Sequence, residues 1–259
     1  MIRRILIIVH SERSTPGRVG VMLREKGIVL DIRRPCLGEE LPSTLADHVG
    51  AIIFGGPMSA NDSDDFIKRE IDWIAVPLGE RVPLLGICLG AQMLAKHLGG
   101  TVKPHPDELV EIGYYPIAPT AAGAALGAWP GHVYHWHREG FTLPNGCECL
   151  ATGESFENQA YRWGRTAFGV QFHPEVTRLM MHRWSISGAH RFVLKGAQHG
   201  AEHLVGNLIH DAAVKTWLWH FLDHWLASGA TGTEQMVADR SRFIDALQLR
   251  TDRQPVLNA

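Results

Sequence analysis

The chain has 259 residues and a formal net charge of −2, with 45% hydrophobic and 20% charged residues. These values are typical of a soluble protein with one large, well-buried domain, and they argue against a nucleic-acid-binding surface. The longest apolar runs, such as residues 5–9, are far shorter than the ~20 residues that a membrane-spanning helix needs. Four scattered cysteines exclude a disulfide framework and the N-terminus has no signal-peptide pattern, so we expect a cytoplasmic protein.

The first half of the sequence alternates between apolar runs and helical patterns. Strands are predicted at residues 5–10, 28–32, 51–54 and 82–87. Helices are predicted at 18–26 and 66–78, and another begins at Leu89 and ends before Gly99. Such alternation is typical of α/β proteins, so we expect a doubly wound, mostly parallel, flavodoxin-like sheet flanked by helices.

The second half of the sequence predicts short strands and two further helices. The strands are at 109–117, 132–136, 148–152, 159–163 and 167–172 and suggest a small antiparallel β addition. The helices are at 177–187 and 201–226. A small-residue linker is predicted at 228–233 and a last surface helix at 234–249. We therefore expect one domain over residues 1–228 and a linker with a helical tail over 229–259.

The segment PLLGICLGAQMLAKHLGG, residues 83–100, places Cys88 between two glycines where a strand meets a helix. A sharp turn from strand to helix exposes its central residue, as in the nucleophile elbow of hydrolases. The N–H of Leu89 would then point to a developing oxyanion, and the Gly55-Gly56-Pro57 loop could supply a second N–H. The alternative is that Cys88 is a small buried hydrophobe.

The segment VQFHPEVT, residues 170–177, carries a histidine and a carboxylate two residues apart. His173 and Glu175 lie on the same side of an extended chain, so Glu175 could hold His173 as a base for a thiol. The alternative is a solvent-exposed turn.

These motifs, in this order, resemble those of class I glutamine amidotransferases. The resemblance spans roughly residues 3–185 and is to the stand-alone, GMP-synthase-like members. It implies that Cys88 is the nucleophile, His173 the base and Glu175 the orienting acid. It also implies that Gly56 and Leu89 form the oxyanion hole and that Gln92 contacts the substrate. We expect no cofactor.

One segment departs from the family pattern. Residues 135–140 read His-Trp-His-Arg-Glu-Gly, with Arg138 and Glu139 where many relatives have glycine and aspartate. Arg138 could meet a substrate carboxylate or face solvent. The candidate substrate-binding residues are Gly55, Gln92, Trp136, His137 and Arg138.

The resemblance implies a glutaminase that forms a γ-glutamyl thioester and releases ammonia for a separate acceptor or synthetase partner. No P-loop and no pyrophosphate-binding Ser-Gly-Gly-x-Asp-Ser motif occurs in the sequence. The alternative is a stand-alone γ-glutamyl peptidase or hydrolase with the same three residues. A non-catalytic binding module on this fold is a third reading, disfavoured because all three residues are present.

Two further patterns resemble metal sites. His199 to His203 fits H-x-x-E-H, an inverted zinc-protease motif, but a third ligand is not evident. Cys147 and Cys149 lack a second pair at zinc spacing. We therefore expect no metal site, and we expect the remaining histidines to be core or surface residues.

Overall fold

The computed structural model of the chain describes residues 3–229. The helix predicted at 234–249 and nearly all of the tail predicted over 229–259 lie outside the described residues. Within residues 3–229, no helix has both the length and the apolar character that crossing a membrane requires.

The described chain forms twelve strands, seven α-helices and two 3-10 turns. The strands are β1 (Arg4–Ile8), β2 (Val29–Arg33), β3 (Gly50–Ile53), β4 (Leu84–Ile87), β5 (Val102–Pro104), β6 (Glu111–Pro116), β7 (Ala118–Pro119), β8 (His132–His137), β9 (Glu139–Phe141), β10 (Cys147–Thr152), β11 (Asn158–Trp163) and β12 (Ala167–Val170). The helices are α1 (Gly17–Glu25), α2 (Asp65–Trp73), α3 (Ala75–Glu80), α4 (Leu89–His97), α5 (Ala121–Ala124), α6 (Arg178–Ser187) and α7 (Gly200–Ala227). The 3-10 turns are Pro35–Leu37 and Ala189–Arg191.

Eight strands form one central sheet in the order β2-β1-β3-β4-β12-β11-β10-β7. The first five are parallel to their neighbours, and β11, β10 and β7 extend the sheet with antiparallel pairs. Two antiparallel ribbons, β5–β9 and β6–β8, lie outside this sheet. The predicted flavodoxin-like fold with a small antiparallel addition is therefore confirmed.

Alternate side chains of the parallel strands point to opposite faces of the central sheet, and both faces are buried. Ile5 and Ile7 of β1 belong to a core cluster that includes Trp225 of α7. Leu6 of the same strand packs in the other cluster with Leu94 of α4. Because β1, β3, β4 and β12 are parallel, their carboxyl ends lie at one edge of the sheet. Ligands bind at this edge in open α/β folds.

The helix predicted as continuous over 66–78 is two helices in the structure. α2 ends at Trp73 and α3 begins at Ala75. Pro77 lies in the first turn of α3 and has no N–H to donate to the carbonyl of Trp73, so the ladder of helical hydrogen bonds breaks there. The prediction of one helix was wrong at this point because periodicity alone does not register a missing donor.

Candidate active site

Cys88 lies at the turn between β4 and α4. Its backbone has φ 50° and ψ −104°, a conformation that residues with a Cβ rarely adopt. Close packing enforces the turn: a Cβ on Gly86 would lie 2.5 Å from the backbone of Gly90, and one on Gly90 would overlap the carbonyl oxygen of Ile53. The two glycines therefore permit the elbow, which sets Cys88 at the N-terminus of α4.

His173 and Glu175 follow β12, the strand beside β4. Nδ1 of His173 donates to Oε1 of Glu175 at 2.8 Å, and both side chains are buried. The backbone N–H of His173 donates to the carbonyl of Tyr134 on β8 at 2.8 Å, and the carbonyl of Glu175 accepts from the N–H of Arg18 on α1. The backbone of this segment is therefore fixed on both sides, and Glu175 orients the ring of His173.

The ring of His173 also hydrogen-bonds to Cys88 and packs edge-on against Trp184 of α6, with ring centroids 5.0 Å apart. Burial alone would lower the pKa of His173, but the charges of Glu175 and Cys88 and its hydrogen bonds to both raise that pKa to about 10. At neutral pH the ring is therefore an imidazolium, hydrogen-bonded to the sulfur of Cys88. We call Cys88, His173 and Glu175 the thiol site.

The other three cysteines lie in surroundings that raise the pKa of their thiols. Burial raises the pKa of the Cys147 thiol to about 12, and it also raises the pKa of Cys36 and of Cys149. The nearby carboxylate of Glu70 raises the pKa of Cys36 further. A thiolate is the reactive form of cysteine, so these three thiols are poor nucleophiles at neutral pH.

The glycine loop after β3 lies against the thiol site. A Cβ on Gly55 would lie 2.7 Å from Cε1 of His173 and 3.5 Å from Cβ of Cys88. Gly56 is next to Leu89, since its Cβ would lie 3.0 Å from Cδ2 of that residue. The N–H of Leu89, the first residue of α4, has no acceptor within its own helix. The structure thus brings together the two residues predicted to form an oxyanion hole.

His10, two residues beyond β1, holds this glycine loop in place. Its Nδ1 lies 3.1 Å from the carbonyl oxygen of Gly55, which can only accept, so Nδ1 donates. Its Nε2 lies 2.8 Å from Oε2 of Glu70 on α2, and both side chains are fully buried. His10 is not among the site residues predicted from the sequence. Its position at the carboxyl end of a strand in the parallel sheet was the available signal.

Two glutamines connect α4 to the sulfur of Cys88. Nε2 of Gln171 lies 3.6 Å from Sγ of Cys88. Nε2 of Gln92 donates to the carbonyl of Glu139 at 2.8 Å and to Oε1 of Gln171 at 3.2 Å. The amide nitrogen of Gln92, a predicted substrate contact, is therefore already bound by protein groups. Gln171 is not among the predicted site residues, although its place two residues before His173 puts both on one side of an extended segment.

The remaining candidate substrate-binding residues lie at and just beyond the end of β8. Trp136 is half-buried against Trp184, with ring centroids 6.0 Å apart, and so lines the same aromatic wall as His173. Arg138 is exposed in the bend between β8 and β9. His137 is buried with Glu111 and His135, and among the described residues these three form the one group of His, Cys, Asp or Glu side chains close enough to hold a metal ion.

The H-x-x-E-H pattern at residues 199–203 serves the structure of α7. Glu202 accepts from the backbone N–H of His199 at 2.7 Å, which completes a capping box. The two ring nitrogens of His203 lie 3.0 Å from the hydroxyl of Tyr134 and 3.0 Å from the carbonyl of Gln198. These side chains are committed to helix capping and packing.

The sequence matches a family model and named relatives. The model for glutamine amidotransferase class-I matches residues 22–182. The glutamine amidotransferase-like protein YfeJ of Salmonella typhimurium is 31% identical over 185 residues, which cover 67% of this chain and 76% of that protein. A glutamine-hydrolyzing GMP synthase of Neisseria gonorrhoeae is 34% identical over 182 residues, 64% of this chain but 31% of the synthase.

Solved structures show the same fold. A glutamine amidotransferase from Methylobacillus flagellatus superimposes with a TM-score of 0.81 at 28% identity, covering 88% of this chain and 96% of that one. A glutamine amidotransferase from Thermotoga maritima superimposes with a TM-score of 0.79 at 29% identity, covering 87% of this chain and 99% of that one. The match extends over nearly all of the described residues.

Proposed function

This chain belongs to the class I glutamine amidotransferase family, and on that premise we propose that it hydrolyses the γ-carboxamide of glutamine through a thioester on Cys88. The observation that carries the proposal is the hydrogen-bonded series from Glu175 through His173 to Cys88 at a strained elbow. A nucleophile bonded to a base that a third group orients is the arrangement that nucleophilic catalysis requires.

In the acylation step, the thiolate of Cys88 attacks the amide carbon and a C–S bond forms. The imidazolium of His173 gives its proton to the departing nitrogen, the C–N bond breaks and ammonia leaves. Glu175 keeps the ring in place and offsets its positive charge before transfer. The neutral imidazole of His173 then remains beside a γ-glutamyl thioester.

In the deacylation step, the neutral ring of His173 takes a proton from water while the water oxygen attacks the thioester. The C–S bond breaks, glutamate is released and the thiolate–imidazolium pair is restored. No redox equivalent or cofactor enters this cycle. Oxygen-centred charge develops twice, and in each case the backbone N–H groups of Gly56 and Leu89 would stabilise it, each by about 3–4 kcal/mol.

The ammonia would pass to a separate acceptor or synthetase chain. The match to GMP synthase covers 31% of that protein, so the remainder of the synthase has no counterpart in this match. A partner subunit that binds near the carboxyl edge of the parallel strands would receive ammonia directly.

The second candidate is a γ-glutamyl peptidase or hydrolase with the same three residues, and the observation that favours it is Arg138. This residue is exposed in the bend two residues beyond Trp136, which packs against Trp184. A guanidinium there could meet the carboxylate of a longer γ-glutamyl ligand. Such an enzyme would need no partner.

The deciding experiment compares kcat/KM for glutamine with kcat/KM for a panel of γ-glutamyl dipeptides, using the purified chain and measuring glutamate, ammonia and amine. We expect glutamine to be hydrolysed with equal amounts of glutamate and ammonia. A preference for dipeptides of more than about tenfold, which is ~1.4 kcal/mol of transition-state discrimination, would support the peptidase instead. Failure to hydrolyse any of these compounds, alone or with glutamine-dependent acceptors, would exclude both.

A further inference from the structure

A second buried polar group lies in the β6–β8 ribbon, and the proposed reaction does not use it. Glu111 begins β6 and is paired directly with His137 across the ribbon, while His135 lies two residues earlier on β8 and on the same side. All three side chains are buried, with at most 6% of each residue exposed. We call these three residues the histidine–glutamate cluster.

One atom of each side chain meets the other two at nearly equal distances. Oε2 of Glu111 lies 3.0 Å from Nε2 of His137 and 3.2 Å from Nδ1 of His135. The two ring nitrogens are 3.1 Å apart. Nε2 of Gln159 donates to the same Glu111 oxygen at 2.9 Å. The three atoms thus form a nearly equilateral triangle around one point.

Counting protons on His137 shows that a cation is needed inside this triangle. Nδ1 of His137 lies 3.0 Å from the carbonyl oxygen of Glu139, which can only accept, so Nδ1 carries the hydrogen. In a neutral ring, Nε2 then has a lone pair, and this lone pair faces a carboxylate oxygen at 3.0 Å. Two lone pairs at that distance repel unless a proton or a metal ion lies between them.

The other two members of the cluster direct their polar atoms at the same point. Nδ1 of His135 lies 3.2 Å from Oε2 of Glu111 and 3.1 Å from Nε2 of His137, while its Nε2 has no hydrogen-bond partner among the described residues. Glu111 presents the oxygen that already accepts from Nε2 of Gln159. All three side chains therefore converge on the centre of the triangle.

We propose that Glu111, His135 and His137 bind a divalent transition-metal ion of the zinc class. Two imidazole nitrogens and one carboxylate oxygen are a donor set that zinc accepts, with bonds near 2.1 Å. An ion at about 2.1 Å from each atom would lie roughly 1 Å out of the plane of the triangle. The hydrogen bond from Nδ1 of His137 to a carbonyl is the outer-shell contact that orients metal-bound histidines.

The experiment measures zinc in the chain purified without a polyhistidine tag and dialysed against metal-free buffer. We expect about one zinc per chain by elemental analysis. We expect Glu111→Gln and His135→Asn to lower zinc affinity at least tenfold in a chelator competition. Both substitutions keep a hydrogen-bonding group in a similar place. His199→Asn is the matched control, because it alters a histidine of the H-x-x-E-H pattern and keeps a capping side chain, and it should leave affinity unchanged.

The thiol site is the competing zinc site, and Cys88→Ala separates the two. Zinc bound by the histidine–glutamate cluster remains in Cys88→Ala, whereas zinc bound by Cys88 and His173 is lost. Cobalt binding to the wild-type chain gives a second test, which does not depend on any substitution. It should give the visible bands of a low-symmetry nitrogen and oxygen site without a thiolate-to-cobalt charge-transfer band.

Three results would overturn the proposal. The wild-type chain could take up no zinc or cobalt, the metal could be lost in Cys88→Ala and kept in Glu111→Gln, or nitrogen NMR could show both ring nitrogens of His137 protonated in zinc-saturating buffer. The last result would mean that a proton holds the cluster together as an imidazolium–carboxylate pair. None of these results bears on glutamine hydrolysis, so the proposed function would stand or fall separately.

Discussion

The thiol site and the histidine–glutamate cluster use the same residue types at similar spacing. Each has a buried carboxylate and a histidine two residues from another member of its group. The ring of His173 faces Glu175 and Cys88, so two acidic groups keep it doubly protonated. The ring of His137 faces the neutral carbonyl of Glu139 at Nδ1, and the carboxylate of Glu111 and the ring of His135 at Nε2. The two sites thus differ in the second partner of the histidine, which is a thiol in one and a neutral carbonyl in the other, although residue types and spacing are similar.

The largest effect should come from Cys88→Ala, because it removes the nucleophile and leaves the histidine–glutamate cluster intact. We expect kcat/KM for glutamine to fall by at least about 10⁴-fold while zinc content stays the same. Steady-state assays and elemental analysis of one preparation test both halves. Residual activity of a few per cent in a preparation free of other amidases would remove Cys88 from the mechanism.

The next effect should come from Glu175→Gln, which removes one of the two charges facing His173. We expect kcat to fall by roughly 10²-fold, and by less than in Cys88→Ala, because an orienting acid usually costs less to lose than a nucleophile. Glu175 raises the pKa of His173, so in wild type the imidazolium persists until the pH approaches about 10. Without that charge the ring deprotonates at lower pH.

The full pH profile of kcat/KM measures this second effect. The alkaline limb should move toward neutral pH in Glu175→Gln and stay in place in Glu40→Gln, a control at an exposed carboxylate. An alkaline limb at the same pH in both variants would show that Glu175 does not set the protonation of His173.

A smaller effect is expected from Gly55→Ala, which tests how tightly the thiol site is packed. The new methyl group would lie 2.7 Å from Cε1 of His173 and must displace the ring. We expect kcat to fall about tenfold with little change in KM, since a misplaced base affects chemistry more than binding. Gly79→Ala is the matched control, because a Cβ there has no neighbour within 4 Å. Equal rates in both variants would contradict the close approach of Gly55 to His173.

The smallest effect is expected from Arg138→Ala. Arg138 is exposed, so we expect its removal to change glutamine kcat/KM by less than about twofold. A γ-glutamyl dipeptide assayed in parallel shows whether Arg138 has another role. A loss of tenfold or more confined to the dipeptide would assign Arg138 to ligand binding and strengthen the peptidase reading.

The sequence predicts the parallel part of the sheet and the place of Cys88 because both depend on local patterns. Apolar runs give the strands, and the glycines around Cys88 mark a turn that other residues would block. The pairing of His173 with Glu175 is also local, since it needs only an extended backbone. That these motifs meet was an inference from the family resemblance.

The histidine–glutamate cluster could not be predicted from local sequence patterns, because it depends on the register between two strands. Glu111 meets His137 through the pairing of β6 with β8, and a shift of one residue would turn one side chain to the other face. The contact of Gln171 with Cys88 likewise requires the pairing of β12 with β4. By contrast, the pattern at 199–203 looks like a zinc motif, yet its side chains cap and pack α7.

The backbone of Cys88 carries a consequence for thermodynamic stability. A positive φ with ψ −104° is unfavourable for any residue with a Cβ, so the native state is less stable by ~1–3 kcal/mol than an unstrained turn would allow. Cys88→Gly relieves this strain, although glycine makes the unfolded chain more flexible and offsets part of the gain. We therefore expect Cys88→Gly to melt at a higher temperature than Cys88→Ala, although both are inactive. The fold would then be trading resistance to heat for the placement of one buried sulfur atom beside His173.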